Sequence, residues 1–512
     1  MFILFLFLDF VSGSLSWLSG TEAALSCFVA LFLWRYLRVL INLVGFYLYK
    51  PAPKPLGIPT YIPSRDVTVI LPTVDPKGSE FLECITTCAQ NSPAKIIVIT
   101  AGDALYAKAQ ESIRPFMERF PTVEFIVDRT QIANKRAQVA LAVSMATTAI
   151  TVMLDDHVFW GPRLLETILY PFEDKAVGMV GTNKRARRLD GLGLWYRIWN
   201  MLGALYLCRH NFEIRATNAI DGGVFVVSAR TCAIRTEILK HPDFLPGYTN
   251  ETFLFGLCGP LNPDDDNYNT RFVVSHGWKI KIQHSQDAEI ITTVGIAAPV
   301  HKKFLGQCLR WARTTWRSNG CSLFTDRTVW TAQPYSVYAV YLTSFTNFAA
   351  ITDPALITLF THSSWYTTPS RLNVLLAWML FTKTIRVIPY FRRHPQDIWL
   401  FPVYLLFGYY HSLIKFWSLL TFWDCTWNGR NLEALGTDAP DCLPRYHAGA
   451  RTEEFILVTV FFNGVRSNGV RSEEEGKITT IPIDDPINAA TAYTRGKYIK
   501  HLMYIELNVS AE

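Results

Sequence analysis

The sequence lacks the cysteine pairs that mark a zinc site or a disulfide scaffold. Its ten cysteines are scattered, without a Cys-x-x-Cys pair and without zinc-finger spacing, so we expect them to be mostly free thiols. The chain also lacks the glycine fingerprint of dinucleotide-binding folds, which argues against a bound dinucleotide. A strong excess of basic charge is missing too. The net charge is only +6, and we expect no nucleic-acid partner.

Apolar residues are abundant but unevenly spread. Hydrophobic residues make up 50% of the 512 residues, and the mean hydropathy is +0.15. Both values exceed what a soluble enzyme usually shows. Long apolar runs concentrate in residues 1–49 and 330–423, whereas residues 50–320 have the mixed composition of a soluble domain. The chain is too long for one ordinary core, so we expect two or three structural units.

Several apolar runs have the length that a membrane span needs, about 20 residues. We expect spans at 1–18, 23–49, 335–360, 372–390 and 398–422. The first run is open to a second interpretation as a signal peptide, and all of them to one as buried core helices. Arg392, Arg393 and His394 fall between the last two spans, and positively charged loops face the cytosol. We therefore expect a multi-pass protein in contact with membrane lipid, with its soluble domain in the cytosol.

The soluble domain alternates predicted strands with predicted helices. The strands lie at 67–73, 96–100, 123–127 and 150–154, and the helices at 79–90 and 134–146. This alternation predicts an α/β fold with a parallel, Rossmann-like sheet. Ligands of such sheets bind at the carboxyl ends of the strands. We expect a nucleotide to contact the residues that stand at those ends, which are Thr73, Asp75, Asp103 and Asp155.

Two adjacent carboxylates, Asp155 and Asp156, come directly after an apolar strand and precede His157. Carboxylates in this position are able to hold Mg²⁺ or Mn²⁺ against a diphosphate. The metal would then offset the charge that develops on a leaving nucleotide. Alternatively, one carboxylate caps a turn or the next helix. His157 is open to three roles: a metal ligand, a diphosphate contact or a packed ring.

A second acidic group follows at Asp264, Asp265 and Asp266. Three adjacent carboxylates repel one another, which should raise the pKa of at least one of them. A carboxylate with a raised pKa is a plausible general base for an acceptor hydroxyl. The alternative is a solvated cap for a helix that begins near Tyr268.

Two further features have both a binding and a structural interpretation. The pair Gly222 and Gly223 precedes a β-branched run, and such a pair either lets backbone approach a ligand closely or forms a plain turn. The basic cluster at 184–188 either meets lipid headgroups or a diphosphate, or is a solvated loop.

The string from Gln307 to Trp311, Gln-Cys-Leu-Arg-Trp, lies between the soluble domain and the C-terminal apolar runs. Apolar residues at helical spacing predict an amphipathic helix over 304–317, either at a membrane interface or packed on the soluble domain. Gln307, Arg310 and Trp311 occupy neighbouring positions of that helix. Arg310 would grip a diphosphate bidentately, and Trp311 would stack on a sugar or support the acceptor site.

Taken in order, these motifs resemble those of the membrane-embedded, processive family 2 glycosyltransferases, which include hyaluronan, chitin and cellulose synthases. The resemblance covers about residues 20–430 and is strongest to the fungal type 2 glycosyltransferase group. It implies that Lys135, within Asn134-Lys135-Arg136, meets the nucleotide. It also implies that Asp266 is the base and that Asp265 supports it. Which of Asp155 and Asp156 holds the metal stays open.

The resemblance also implies a GT-A fold joined to an α-helical transmembrane region, with a UDP-sugar donor, a growing glycan acceptor and Mg²⁺ or Mn²⁺. The implied enzyme is an inverting hexosyltransferase at the plasma membrane that makes and exports a cell-wall polysaccharide needed for hyphal growth. One alternative is a nonprocessive enzyme that adds one sugar to a lipid such as ceramide. Another is a transporter or channel that only senses nucleotide sugar. The sequence identifies neither the sugar nor the oligomeric state.

These expectations define a plan of five segments. They are N-terminal transmembrane helices at 1–49, a cytosolic GT-A domain at 50–300, an amphipathic interfacial helix at 301–328, C-terminal transmembrane helices at 329–425 and a tail at 426–512.

Overall fold

The computed structural model describes residues 20–188, 191, 193–254, 256–294 and 299–425, together with the backbone of 470–474 and 477–481. The chain divides into two units, 1–443 and 444–512. In the second unit the described backbone forms one antiparallel strand pair, Val470–Glu474 with Lys477–Ile481. The predicted span at 1–18 and the rest of the predicted tail lie outside the described residues.

The described part of the first unit contains a nine-stranded sheet. The strands are β1 Val67–Pro72, β2 Lys95–Ala101, β3 Glu124–Thr130, β4 Ile150–Leu154, β5 Val158–Phe159, β6 Val177–Ala186, β7 Thr231–Arg235, β8 Lys279–Gln283 and β9 Glu289–Thr292. Their order is β3-β2-β1-β4-β7-β6-β9-β5, with β8 also paired to β6. The first four strands are mutually parallel. The four predicted strands and their parallel pairing are therefore confirmed.

The other half of the sheet is mixed. Strand β7 runs antiparallel to both β4 and β6, while β6 runs parallel to β8 and then to β9. The pairing of β6 passes from β8 to β9 near Asn183, so one long strand joins two parts of the sheet. These long-range pairings place the end of β4 beside the segment that leads into β7.

Helices cover the sheet and continue beyond it. In the first part of the chain they are α1 Thr21–Leu48, α2 Pro63–Asp66, α3 Ser79–Ala89, α4 Gly102–Arg119, α5 Lys135–Met145, α6 Leu164–Leu169, α7 Leu194–Asp221, α8 Thr236–Leu239, α9 Phe244–Thr249 and α10 Asp265–Ser275. After them come α11 Val300–Gly320, α12 Val329–Ala332, α13 Pro334–Ser336, α14 Thr343–Thr346, α15 Ala349–Thr361, α16 Pro369–Thr384, α17 Ile388–Arg393 and α18 Phe401–Leu419. Both predicted helices of the soluble domain, now α3 and α5, are confirmed.

Buried strand residues divide between two cores. In β1, Val69 and Leu71 pack in one cluster with Phe81 of α3, whereas Ile70 packs in the other with Val139 of α5. Successive side chains of a strand point to opposite faces of the sheet, so a strand covered on both faces is apolar throughout. This two-sided burial fixes the strands and leaves their carboxyl ends to carry polar side chains.

Helix α1 is, among the described residues, the one helix long and apolar enough to cross a membrane. The three predicted C-terminal spans are not confirmed. The predicted span at 335–360 is broken between α14 and α15, and α16 has only 16 residues. At about 1.5 Å per residue, α16 is shorter than the roughly 30 Å of hydrocarbon. Helix α18 has 19 residues, which is long enough, but its mean hydropathy is too low for it to count as a candidate span.

The arginines inside α1 face other helices. Arg35 pairs with Asp353 of α15 at 2.5 Å, and Arg38 donates to the Ala339 carbonyl at 3.0 Å and to Thr343 Oγ1 at 2.9 Å. Helix α1 is thereby tied to the C-terminal helices by charged and polar contacts.

Candidate active site

The two acidic motifs meet at one lysine. Lys135 begins α5, where the Asn134 side chain caps the helix by accepting from the Ala137 amide at 3.1 Å. Lys135 Nζ lies 2.9 Å from Asp155 Oδ1 and 3.0 Å from Asp265 Oδ2. Three residues that the sequence places far apart therefore form one charged cluster at the carboxyl end of β4.

Asp155 is an ionised carboxylate in this arrangement. Burial alone would raise its pKa, but the positive charges of Lys135, His157 and Arg230 and the hydrogen bond from Lys135 lower it to about 2. A group that keeps its negative charge at neutral pH is suited to hold a cation.

Asp156 turns toward β1. It is buried, and Thr73 Oγ1 donates to its Oδ2 at 2.7 Å. His157 Nδ1 lies 3.3 Å from the other oxygen, Oδ1. Within the described residues no group of three or more His, Cys, Asp or Glu side chains is assembled as a metal site. The adjacent carboxylates of Asp155 and Asp156 nevertheless supply the hard oxygen donors that Mg²⁺ and Mn²⁺ prefer.

The second acidic motif is buried at the start of α10. Helix α10 begins at Asp265, three residues before the predicted Tyr268, and Asp264 precedes it with a φ of 72°. Arg317 Nε lies 2.7 Å from Asp264 Oδ2, and Arg317 Nη2 lies 3.1 Å from Asp264 Oδ1. Asp264 and Asp265 are only 4% and 5% exposed, so the alternative of a solvated cap is wrong.

Asp266 has the electrostatics of a general base. Burial, together with the negative charges of Asp265 and Asp264, raises its pKa to about 6, although Lys135 and Arg310 oppose the shift. A carboxyl group with this pKa is mostly ionised at neutral pH and binds a proton more strongly than an ordinary aspartate. Asp266 is therefore able to accept the proton of an acceptor hydroxyl.

The predicted motif helix is confirmed as α11, and its motif faces the same cluster. The Trp311 ring stacks on Tyr206 of α7, with centroids 5.0 Å apart and planes at 28°. The Arg230 guanidinium lies 5.6 Å from the Trp311 ring centroid. Arg310 is close enough to lower the pKa of Asp266. Gln307 Oε1 is buried and accepts no hydrogen bond from the described residues.

Helix α11 is a packed helix. Phe304 and Cys308 are buried in a cluster with Leu205 of α7 and Tyr404 of α18. One turn beyond the motif, Thr314 donates to Asp264. The same helix thus presents Arg310 and Trp311 and holds the acidic segment that carries Asp266. Its position at a membrane interface stays a prediction.

Two predicted nucleotide contacts lie apart from the Lys135 cluster. Asp75 is exposed, and its amide donates to Thr73 Oγ1 at 3.1 Å. Asp103 is exposed and paired with Arg129 of β3. Neither carboxylate contacts Lys135 or another member of the cluster within the described residues. Their roles as ligands of a bound nucleotide stay predictions.

The glycine pair joins two helices. Gly222 ends α7 with a φ of 75°. The Gly223 amide and the Ser336 amide both donate to Asp221, at 2.9 and 2.8 Å, and a Cβ added at Gly223 would lie 1.9 Å from Ser336 Oγ. The close approach here is to α13. This contact gives the pair a structural role, and the predicted ligand contact stays untested.

Sequence reasoning missed three residues of the site, Arg230, Tyr206 and Lys184. Arg230 lies just before β7, and only the long-range pairing of β7 with β4 brings it to Asp155. In the sequence, Lys184 stands out only as one residue of the basic cluster at 184–188. It is 5% exposed, and burial, aided by Arg230, lowers its pKa to about 7. The buried context of Lys184 is set by β6, whose pairing partners no local pattern reveals.

Known proteins are similar to this chain over much of its length. A family profile described as "Glycosyltransferase like family 2" matches residues 63–314. The chain is 40% identical over 427 residues to a "Type 2 glycosyltransferase" of Gibberella zeae, a match that covers 81% of this chain and 77% of that one. It is 38% identical over 413 residues to a protein of the same name from Pyricularia oryzae, covering 79% of this chain and 82% of that one.

The chain therefore belongs to the family 2 glycosyltransferases. Its α/β domain is GT-A-like, as the sequence resemblance implied. Another relative, the "NDP-glycosyltransferase ltbB" of Aspergillus luteorubrus, is 30% identical over 56% of this chain and 68% of that one. Among solved structures, the mannosyltransferase PcManGT of Pyrobaculum calidifontis, in complex with GDP-Man and Mn²⁺, is similar with a TM-score of 0.46 and 16% identity, over 77% of this chain and 99% of that one.

Proposed function

We propose that this family 2 glycosyltransferase is an inverting, metal-dependent enzyme that transfers a hexose from a UDP-sugar to the hydroxyl of a glycan. The observation that supports this most is the position of Lys135 between Asp155 and Asp265. That contact puts the carboxylate suited to the donor side next to the segment that carries Asp266. Donor and acceptor chemistry thereby share one cluster.

Each residue has a role that follows from its surroundings. Asp155 and Asp156 would hold Mg²⁺ or Mn²⁺, which when bound supplies positive charge to the donor diphosphate. Arg310 and Arg230 add fixed positive charge on the same side. In the transfer step Asp266 takes the proton of the acceptor hydroxyl. The acceptor oxygen then bonds to the anomeric carbon, and the C–O electron pair leaves with UDP.

The aromatic pair supplies the acceptor surface. Trp311 and Tyr206 stack and are backed by Arg230, and aromatic faces of this kind pack well on sugar rings. Arg230 is also close enough to Asp266 to respond to its charge, and we propose that a sugar stacked on this wall presents its hydroxyl to the base. The same geometry serves a growing polymer or a single acceptor sugar. We propose the polymer, and gel separation of the products distinguishes a ladder from a single-sugar product.

The cellular setting belongs to the same proposal. Helix α1 would anchor the enzyme in the plasma membrane, and α15, α16 and α18 would lie in lipid beside it. Large apolar side chains exposed on α16 and α18, such as Val374 and Leu413, support this. The relatives named type 2 glycosyltransferases come from fungi, and we propose that the product is exported to the outer cell wall of growing hyphae.

The base assignment has a direct test. Asp266→Asn should reduce transfer by at least about a hundredfold, because general-base catalysis contributes about 10²–10⁴-fold. Affinity for UDP should be unchanged. Release of UDP from a screen of UDP-sugars would be measured on the purified full chain in detergent, and UDP binding by calorimetry. Asp243→Asn is the matched control, since Asp243 is exposed.

Two outcomes would count against the proposal. Full transfer by Asp266→Asn would remove the base assignment. Absence of UDP release from every UDP-sugar by the parent chain would favour a nucleotide-sugar sensor over an enzyme.

A further inference from the structure

The described residues enclose a cavity that none of the catalytic carboxylates lines. Its volume is about 340 Å³, and it is bounded by the end of α1, by β6, by α7 and by residues 385–394. This volume falls in the range of about 300–1,000 Å³ that small-molecule sites occupy. Asp155, Asp265 and Asp266 do not line it, although Lys184 of β6 does. The cavity therefore adjoins the site of sugar transfer at Lys184 but contains none of its carboxylates.

Arginine dominates the walls of this cavity. Five arginines line it, and Glu289 is the carboxylate among the lining residues; the arginines are Arg185, Arg188, Arg386, Arg392 and Arg393. Two of them, Arg185 and Arg393, share Glu289, each at 3.1 Å. Arg386 pairs with Glu213, and Arg188 with Asp397. Even with these carboxylates counted, the walls carry an excess of positive charge.

Burial and the positive charge of the walls act together on two histidines. His284 and His394 both line the cavity. Burial, aided by Arg215 and Arg393, lowers the pKa of His284 to about 3. Burial, aided mainly by Arg188, lowers the pKa of His394 too. In both cases the positive charge of the arginines adds to the effect of burial, which agrees with a cavity suited to an anion.

Among the described residues, three buried polar atoms of the cavity lining have no hydrogen-bond partner: Asn183 Oδ1, His284 Nδ1 and Arg386 Nε. Asn183 is only 7% exposed, and its Nδ2 donates to Glu289 at 3.0 Å. Its Oδ1 accepts no hydrogen bond from the described residues. A buried acceptor of this kind calls for a donor. A hydroxyl of the ligand would satisfy it, while the arginines meet an anionic group.

One wall of the cavity is formed by the end of α1. Leu43, Phe46 and Tyr47 line it there, and Tyr47 is 73% exposed. Tyrosine at the end of a span is typical of the membrane–water interface. If α1 crosses the membrane as proposed above, this wall lies at the depth of lipid headgroups.

We propose that this cavity binds the phosphate-bearing, hydroxylated headgroup of an anionic membrane lipid. Guanidinium groups match phosphate oxygens bidentately, and basic pockets beside membrane helices at the cytoplasmic face take such headgroups. The proposal rests on the membrane anchorage by α1 but not on sugar transfer. Because lipid binding is measured without any UDP-sugar, its failure is distinguishable from a failure of the proposed enzyme activity.

The test uses the full chain in detergent and a fluorescent short-chain phosphatidylinositol 4-phosphate, followed by anisotropy. The double variant Arg392→Gln with Arg393→Gln removes two exposed arginines of the wall and should weaken binding at least about tenfold. Arg114→Gln with Arg119→Gln is the matched control, because both arginines are exposed on α4 and their substitution removes the same charge. The control variant should bind the lipid as tightly as the parent does, and none of the proteins should bind phosphatidylcholine.

Competition by inorganic phosphate distinguishes a lipid from a soluble ligand. Displacement only at concentrations at least a hundredfold above those of unlabelled lipid supports a lipid headgroup. Equal potency of the two competitors would overturn the lipid assignment in favour of a soluble phosphate. Equal lipid binding by the parent and by the Arg392→Gln, Arg393→Gln variant would overturn the site itself.

Discussion

At the scale of single residues, the decisive feature is the difference in pKa between two nearby carboxylates. Asp155 and Asp266 lie on either side of Lys135 and Asp265. The lysine and other cations lower the pKa of Asp155 to about 2 against the effect of burial, whereas burial and two adjacent aspartates raise that of Asp266 to about 6. Groups whose environments separate their pKa values in this way are suited to different roles in one reaction. Here one group would bind a cation while the other moves a proton.

The raised pKa of Asp266 predicts the pH profile of transfer. A base must be deprotonated to act, so activity should rise as pH increases through about 6. Asp265→Asn removes the nearest negative charge, which lowers the pKa of Asp266 and should move the acid limb down by on the order of one unit. Profiles of kcat/KM for the parent and for Asp265→Asn provide the measurement. An unchanged or upward-shifted limb would contradict the coupling.

The same pKa gives a control on folding. Because the folded state raises the pKa of Asp266, ionisation of this group destabilises the fold between its unfolded pKa and about 6, and this penalty remains at higher pH. Asp266→Asn should therefore unfold at a temperature at least as high as the parent at pH 7. Loss of transfer in a stable variant is a catalytic effect.

The two candidate metal ligands make different contacts, and this predicts different losses. The Asp155 carboxylate accepts a hydrogen bond from Lys135, whose side chain ligand binding can displace, whereas Asp156 accepts one from the Thr73 hydroxyl. Asp155→Asn should therefore weaken Mn²⁺-dependent UDP binding more than Asp156→Asn. Calorimetric UDP titrations with Mn²⁺ and with EDTA measure both. If neither variant differs from the parent, the metal site proposed here is wrong.

Much of the residue chemistry could be read from the sequence, but not its partners. Asp155, Asp266 and Trp311 stand out because acidic residues follow a strand or adjoin one another, and because a tryptophan closes a motif. Their partners Arg230 and Tyr206 carry no such local signal. Each is brought in by packing between elements that lie far apart in sequence.

At the scale of elements, α11 is the helix that would join the donor and acceptor sides of the proposed reaction. It presents Arg310 and Trp311 on one turn and holds Asp264 with Arg317 further along. Asp264 and Arg317 are almost completely buried. The pair therefore fixes the start of α10, and with it Asp266, against the motif helix.

This clamp predicts a strong effect on stability. Arg317→Met leaves Asp264 buried without its partner, which should lower the free energy of unfolding by about 3–5 kcal/mol. Asp264→Asn combined with Arg317→Met should cost less than Arg317→Met alone, because no unpaired charge remains. Thermal unfolding in detergent measures both. Arg119→Met, on an exposed residue of α4, is the control, and equal losses in all three variants would contradict the clamp.

Sequence patterns predict the strands of the parallel half of the sheet to within a few residues. They predict none of the strands of the mixed half. Strands β1 to β4 show because each is a continuous apolar run of the length of one buried strand. Strand β7 was missed because its antiparallel pairing with β4 depends on a chain reversal about 75 residues long, through β6 and α7. Helix α11 was found within a few residues at each end because its apolar residues recur at helical spacing.

At the scale of the whole molecule, a buried carboxylate connects α1 to the C-terminal helices. Asp353 of α15 binds Arg35 of α1 at 2.5 Å and Lys383 of α16 at 2.7 Å, and Tyr409 of α18 donates to it at 3.0 Å. Four helices thus converge on one buried carboxylate. The sequence shows the apolar runs that contain these four helices. It does not show where the helices break or that Asp353 joins them, because a polar residue inside an apolar run gives no sign of its partner.

The exposed faces of these helices distinguish lipid from water. Val374 of α16 is 71% exposed and Leu413 of α18 is 60% exposed. In water, an aspartate at either position would be nearly neutral for stability, because surface substitutions usually change it by about 0.5 kcal/mol or less. In lipid, a charge near the centre of a span costs roughly 2.5–3.5 kcal/mol.

Val374→Asp and Leu413→Asp should therefore each reduce the amount of folded protein in the membrane fraction and lower its thermal stability after reconstitution into nanodiscs. Met117→Asp, at an exposed position of α4, should do neither. Unchanged yield and stability in both helix variants would place these faces in water and leave α1 as the proposed membrane anchor.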